Sequence, residues 1–304
     1  MSQICAKVAI VPEPQRRKRS PFGGEPFSPR GQRAYFCTMA ITSKQTVWFR
    51  DLGVMEYGEA WDYQEKLMRV NVDIKQQLAG LHPLSAHGGA PDSLPGTAAD
   101  GNPDTRHYLL FVEHPPVYTL GKSGNESNIL IGEAERQEKG ISYYRTNRGG
   151  DITFHGYQQV VGYPILDLEK FSTDIGKYLR NLEEVIILTM AEYGLKGDRS
   201  PGETGVWLDP SVPGRERKIC AMGIRCSRWV TMHGFAFNVN TDLTYFDHII
   251  PCGIQNKQVT SLQKELGYQL DINEVKEVLK TNFEKVFGVE LKAEQADAVK
   301  SPLV

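Results

Sequence analysis

The chain reads as α+β, a mixed or antiparallel sheet with flanking helices. Three observations carry this: short strand-like runs cluster together, amphipathic helices stand before, between and after them, and no internal repeat interrupts the order.

The elements follow in sequence. Residues 1–40 hold seven Lys and Arg against two Glu, a net +5 in a 304-residue chain of net −2, which leaves −7 for the rest. Five prolines and the run "PFGGEPFSPRG" predict a disordered basic tail. An Arg-rich, acid-poor segment also fits a mitochondrial-type presequence, although its prolines would spoil an amphipathic helix. An upstream extension before a domain that starts near Met39 is an equally plain reading. Residues 41–304 are then expected to form a single catalytic domain.

From "TVWFRDLG" onward the chain reads as folded. Ala60, Tyr63, Leu67, Ile74 and Leu78 recur at helical spacing and stop at Gly80. Residues 82–105, rich in Gly, Pro, Ala and Ser, read as a flexible surface insertion in which His82 and His87 are solvated. Strand-like runs follow: "HYLLFVEH", "VYTL", "ISYYRT", "DITFH" and "QVVGYPILDL". In residues 172–194, Ile175, Leu179, Leu182, Val185, Ile186, Thr189 and Tyr193 form one helical face that ends at Gly194. More strands come in "ETGVWLD", "KICAMGIRCS" and "WVTMHGFAFNVN". In the last, His233, Phe235, Phe237 and Val239 alternate with the small Gly234 and Ala236. The small face suits either a slender ligand or a closely packed helix. A last helix starts at "DINE", with Asp271 and Glu274 in capping-box positions, and turns Val275, Val278, Leu279, Phe283, Val286 and Phe287 inward.

Composition narrows the function. A pI near 6.4 gives no basic surface for nucleic acid. Five cysteines without zinc spacing, no apolar span and no secretory h-region predict a reduced compartment, no metal and no membrane insertion. The cytoplasm is the expected location, because the tail is proline-broken; the mitochondrial matrix is the alternative.

The residues able to do chemistry are few. In "RTNRGGDITFHG", Arg148 sets a cation beside Gly149 and Gly150, whose backbone can approach a ligand closely, and His155 follows at a strand end. A Gly-Gly hairpin with a surface arginine is the plain alternative. "LGKSGNES" fails as a phosphate loop, because Pro116 stands where a glycine is required. In "DHIIPCGI", Cys252 sits between Pro251 and Gly253. A free cysteine is commonly a buried filler. Lys218, at the start of an apolar strand run, offers another outcome: an ammonium beside Cys252 lowers the thiol pKa from about 8.5 by roughly one or two units, each worth about 1.4 kcal/mol, and makes it a nucleophile. Cys220 and Cys226 read as packing residues, and Cys5 and Cys37 fall in the tail.

"EHPPVYTLG", "RGGDITFHG", "QVVGYPILDL", "GETGVWLD", "KICAMGIRCSRWVTMHGFAFNVNTDLTYFDHIIPCGI" and "VTSLQKELG" together resemble the lipoyl(octanoyl) transferase family across residues 46–290. The resemblance implies the fold of biotin and lipoate protein ligase catalytic domains. It also implies a two-step transfer, in which octanoyl passes from octanoyl-acyl carrier protein to a cysteine and then to a lysine of a lipoyl domain. The acceptors implied are lipoyl domains of 2-oxoacid dehydrogenase complexes or the glycine cleavage H protein. By matching positions Cys252 would carry the acyl-thioester and Lys218 would lower its pKa. The substrate would lie against Arg148, Gly149, Gly150, Asp151, Ile152, Thr153, Phe154 and His155, together with Ala221, Met222, Gly223, Gly234, Phe235 and Ala236. A thioester is already activated, so neither ATP nor metal is required and no cofactor is expected. The family commonly continues its histidine motif as Gly-Pro-Gly-Gln, where this chain has "GYQQ" with Tyr157 and Gln158 in the turn. Two rival functions share the scaffold: an ATP-dependent lipoate or biotin protein ligase, and a noncatalytic carrier-domain binding protein that would leave Cys252 unmodified.

Overall fold

A computed structural model describes residues 44–80, 104–250 and 258–294. The basic tail with Cys5 and Cys37, nearly all of the insertion, and the segment 251–257 with Cys252 lie outside the described residues.

Strand β1 (Thr46–Val54) leads into helix α1 (Tyr57–Leu78). Then come β2 (His107–Glu113), β3 (Val117–Leu120), the short α2 (Glu133–Glu138), β4 (Ser142–Arg145), β5 (Ile152–His155) and β6 (Gln159–Ile165). Helix α3 (Ile175–Glu192) precedes β7 (Val206–Leu208), β8 (Arg217–Ser227) and β9 (Val230–Asn238). The described chain closes with β10 (Gln258–Val259), α4 (Leu262–Leu266), α5 (Ile272–Phe287) and β11 (Glu290–Ala293). Among the described residues the large sheet runs β10-β8-β9-β6-β2-β1-β11, with β7 also against β8, and the small sheet runs β4-β3-β5. Pairings from β2 through β6, β9 and β8 to β7 are antiparallel, whereas β10 with β8, β1 with β2 and β1 with β11 are parallel. The architecture is the mixed α+β sheet that the sequence predicts.

Helices cover both faces of the large sheet, which is why β2, β6 and β9 are buried at every position rather than alternately. On one face, Leu182, Val185, Ile186 and Met190 of α3 and Val275, Leu279 and Phe283 of α5 pack on Leu109, Phe111, Phe235 and Phe237. Asp271 caps α5 by accepting the Asn273 N–H, and Gly288 ends it at φ +66. On the other face, Ala60, Leu67 and Met68 of α1 meet Tyr108, Val161, Tyr163, Met232 and Ala236. The small sheet closes a third cluster of Tyr118, Leu120, Ile152, Phe154 and Ile249.

Helix α1 departs from its apolar spacing. Leu78 is exposed, Tyr63 and Ile74 are half-buried, and the polar Gln64 and Asn71 share the inner line with Ala60 and Leu67. Asn71 earns that position by clamping the entry to β2: its Nδ2–H donates to Arg106 O at 2.7 Å, and its Oδ1 accepts the Arg106 N–H at 2.9 Å. At the sheet edge Glu294 accepts from Arg50 Nε at 2.6 Å and lies 3.4 Å from Arg106, whose guanidinium stacks over Trp48.

The β5–β6 turn explains the "GYQQ" departure. Gln158 stands at φ +61, the left-handed region that glycine occupies without strain. Its N–H donates to Glu113 Oε2 at 2.9 Å, and its carbonyl accepts from Asn240 N–H at 3.0 Å and Thr241 Oγ1–H at 3.1 Å. These backbone bonds, with the Asn240 Nδ2–H that Gln158 Oε1 accepts at 2.7 Å, hold the strained residue. Gln158→Gly keeps the three backbone bonds and relieves the positive φ but loses the bond from Asn240 Nδ2, which still donates to Leu270 O, so stability is expected to change by no more than about 1 kcal/mol. Gln158→Pro, which forces φ negative and removes the donor, is expected to cost about 3 kcal/mol or more. Urea unfolding of the two variants beside the wild type checks both values.

Candidate active site

The cleft opens where the small sheet docks on the large one. Gly149 N–H donates to Ile224 O of β8 at 2.9 Å, joining the "RGG" loop to the large sheet. From the other side, the "LGKSG" turn straps the same loop: Gly121, Lys122 and Ser123 donate their N–H groups to the carbonyls of Asp151, Arg148 and Gly150 at 2.9–3.2 Å. Side chains would block this docking. A Cβ on Gly121 would lie 2.3 Å from Gly150 O, and one on Gly223 would lie 2.6 Å from Gly149 O. "LGKSG" therefore positions another loop rather than cradling a phosphate.

The resulting cleft has a volume of about 820 Å³ counted out to its mouth. Its floor is small and apolar: Ala221 and Gly223 of β8 stand beside their cross-strand partners Ala236 and Gly234 of β9, with Val161 of β6 alongside. Gly234 is small for a reason other than ligand space, since a Cβ there would lie 2.2 Å from Gly162 O; close packing of two strands requires it. Arg148, Gly150, Asp151, Ile152, Thr153, His155, Lys218, Met222 and Phe235 also line the cleft, so most residues singled out from the sequence converge here. Gly149 serves the docking bond, and Phe154 turns away to stack on Tyr245 at 4.6 Å. Asp151 ties loops together: its carboxylate accepts from Ile152 N–H and Asn128 Nδ2–H, each at 2.7 Å.

A buried hydrogen-bond chain runs through the cleft lining, and its direction can be assigned. Gln159 donates through Nε2 to Phe154 O at 3.2 Å and Asn238 Oδ1 at 2.8 Å, which leaves Oε1 to accept the His155 Nδ1–H at 2.9 Å. His155 Nε2 then accepts from Thr119 Oγ1–H at 3.3 Å, and Thr119 Oγ1 accepts from Arg148 Nη2 at 2.9 Å. At the other end Asn238 donates to Thr260 O, and Thr260 donates its hydroxyl to Glu265, which pairs with Arg217. Tyr57 stacks on His155 at 5.8 Å.

The imidazoles around the cleft are neutral. Burial, with the nearby His114 and Arg148, holds His155 well below the usual histidine range. Burial also lowers His114 to about 4 and, with Arg148 and Arg225 adding to it, His233 to about 3. His114 donates Nδ1–H to Met55 O at 2.7 Å and accepts Tyr163 O–H at 2.8 Å.

Lys218 stands half-buried at the other end, its ammonium 4.5 Å from the centre of the Trp207 ring. Cys252 lies outside the described residues, but the chain on both sides of it is fixed. Ile250 N–H donates to Asn128 O at 2.8 Å, whereas Gln258 N–H donates to Glu216 O at 3.1 Å and Val259 pairs with Lys218. The two cysteines within the described residues are poor nucleophiles: burial pushes the Cys220 thiol far up and raises that of Cys226. Sequence reading missed Tyr57, Gln159, Tyr163 and Asn238 as cleft residues and took His233 only as part of an alternating face. For all but Tyr57, which opens α1, polar residues inside runs otherwise fit for a buried strand were the available signal.

Comparison with known proteins agrees with this fold. Residues 97–284 match the lipoyl protein ligase A/B catalytic domain. The chain is 56% identical over 244 residues to the octanoyltransferase of Christiangramia forsetii, covering 80% of this chain and 96% of that protein. It is 53% identical to the octanoyltransferase of Flavobacterium psychrophilum, with 80% and 97% covered. The fold extends to a bipartite lipoate protein ligase of Thermoplasma acidophilum, at 13% identity and a TM-score of 0.54 over 84% of this chain and 88% of that one. The chain therefore belongs to the lipoyl protein ligase A/B catalytic-domain family and, within it, to the octanoyltransferases.

Stability should depend on pH through the neutral imidazoles. His107, His114, His155 and His233 are all held below 6.5 when folded, with His107 lowered to about 4 by burial. The unfolded chain binds more protons between about pH 4 and 6.5, so stability rises with pH across that window. The unfolding free energy from urea titrations is expected to be level above about pH 7.5 and to fall below 6.5, with a limiting slope of about 1.4 kcal/mol per unit for each histidine, and the urea midpoint should fall with it. A midpoint unchanged from pH 7.5 to 5 would contradict the assignment.

Proposed function

We propose that this chain transfers an octanoyl group from octanoyl-acyl carrier protein to Cys252 as a thioester, and then to the ε-amine of a lysine on a lipoyl domain. The observation that carries the reading is a cleft floored by Val161, Ala221 and Ala236 with the ammonium-bearing Lys218 at one end. The strand partner of Lys218, β10, directly follows the segment that holds Cys252. An apolar trough suits an alkyl chain, and a cation at its end favours the thiolate.

In the first step the Cys252 thiolate attacks the thioester carbonyl of the donor. The carbon–sulfur bond to the carrier breaks, and its thiolate leaves and takes up a proton. In the second, a neutral lysine amine attacks the acyl-cysteine carbonyl, Cys252 leaves as thiolate, and the nitrogen releases its extra proton. Lys218 holds charge beside the sulfur in both steps and moves the proton. Both steps exchange one acyl bond for another, so ATP is unnecessary. The expected acceptors are lipoyl domains of 2-oxoacid dehydrogenase complexes or the glycine cleavage H protein, with the cytoplasm as the site of action. Among the described residues no helix is long and apolar enough to cross a membrane.

Incubation with octanoyl-acyl carrier protein, without ATP, is expected to add one hydroxylamine-labile octanoyl group in the intact mass, and Cys252→Ala should gain none. Lys218→Met is expected to slow transfer to a lipoyl domain by roughly 100-fold or more. An unacylated wild type and an unacylated acceptor, with the carrier shown intact, would sink the reading.

A further inference from the structure

His233 carries a polar atom that the transfer chemistry leaves unused. Two positions beyond the Gly162–Phe235 pair, the β6–β9 register sets Pro164 opposite His233, and proline has no N–H for the ladder. The ladder opens there. Thr231 Oγ1–H takes the Pro164 carbonyl at 2.9 Å, and the His233 N–H donates to Gln64 Oε1 at 2.9 Å. His233 itself turns to φ +58 in mid-strand, an uncommon conformation that this helix side chain holds in place.

Its neighbours decide which ring nitrogen bears the proton. Glu65, ion-paired with Arg225, can only accept, so it takes the Asn147 Nδ2–H at 3.0 Å. Asn147 Oδ1 therefore faces His233 and accepts its Nε2–H at 2.9 Å. In the neutral ring that leaves Nδ1 as a lone pair. This atom is buried and has no hydrogen-bond partner among the described residues, on a residue 1% exposed that lines the cleft. Ile224, the cross-strand partner of His233, lies six positions along β8 from Lys218, roughly 20 Å of strand. An acyl chain attached at the Lys218 end thus runs along the small floor with its far end directed toward His233.

We propose that His233 determines acyl-chain length: its Nδ1 is a polar stop at the inner end of the cleft, satisfied by an O–H donor and hostile to an alkyl terminus pressed against it. The proposal rests on the acyl-transfer reading above. A chain long enough to strip this acceptor leaves it unpaired, and a site with an unpaired buried acceptor discriminates strongly.

The test compares kcat/KM for transfer to a lipoyl domain from carrier proteins loaded with saturated acyl chains of six to twelve carbons and with their ω-hydroxy counterparts. The full chain is used, as wild type and as His233→Asn, a shorter side chain that tolerates positive φ. Beyond the length that fills the cleft, wild-type activity is expected to fall by roughly tenfold or more, and a terminal hydroxyl should restore it. In His233→Asn the limit should move to longer chains and the hydroxyl effect should disappear. Wild type that transfers octanoyl yet gains nothing from the hydroxyl at any length would overturn the role of His233. So would an unchanged length limit in a folded variant that is active on octanoyl. Absence of octanoyl transfer by the wild type is a different result, which overturns the transfer reading and takes this role with it.

Discussion

The docking of one sheet on another, through the backbone bond between Gly149 and Ile224 and the glycines that permit it, governs the shape of the cleft. A loop carrying a buried arginine can lie against a strand only where neither side presents a Cβ. Gly223 and Gly121 meet that condition from opposite sides, and the space left between the sheets is the cleft. The glycines of "RGG" and "AMG" are thus parts of one contact, although they stand far apart in the chain.

That contact buries polar groups, and burial sets their chemistry. Removed from water, the imidazoles near Arg148 stay neutral, and a ring bonded at both nitrogens, as His155 is, needs partners of the right sense. Gln159 meets this demand for His155, because both of its amide hydrogens are committed elsewhere and only its oxygen faces the ring. The chain of bonds from Arg148 to Thr260 couples the loop to the strand edge beside Lys218 without a mobile proton. The wall of the cleft is thereby fixed in shape and charge before any ligand enters.

Much of this was legible in the sequence. Each strand-like run from "HYLLFVEH" to "WVTMHGFAFNVN" became a strand, because period and β-branching report burial on a sheet directly. The convergence of Arg148, His155, Lys218 and Ala236 followed from the family resemblance, whereas the reasons for it did not. Strands β10 and β11 are short edges paired in parallel with distant segments, and local pattern says little about such pairing. Gln64 and Asn71 broke the apolar spacing of α1 because backbone groups elsewhere required them. His233 was read as part of an ordinary alternation, since nothing local signals that a proline one strand away withdraws its ladder partner.

The parallel pairing of β1 with β11 has a consequence for biosynthesis. Arg50 and the Glu294 that binds it are 244 residues apart, and Thr46–Phe49 finds its outer neighbour only when Glu290–Ala293 has been made. At ~5–20 residues per second of translation, β1 waits on the order of 10 to 50 s with that edge unpaired. An open strand edge is a template for pairing with other chains. Until Glu290–Ala293 has been made, the β1 edge of the nascent chain is therefore open to pairing with other chains.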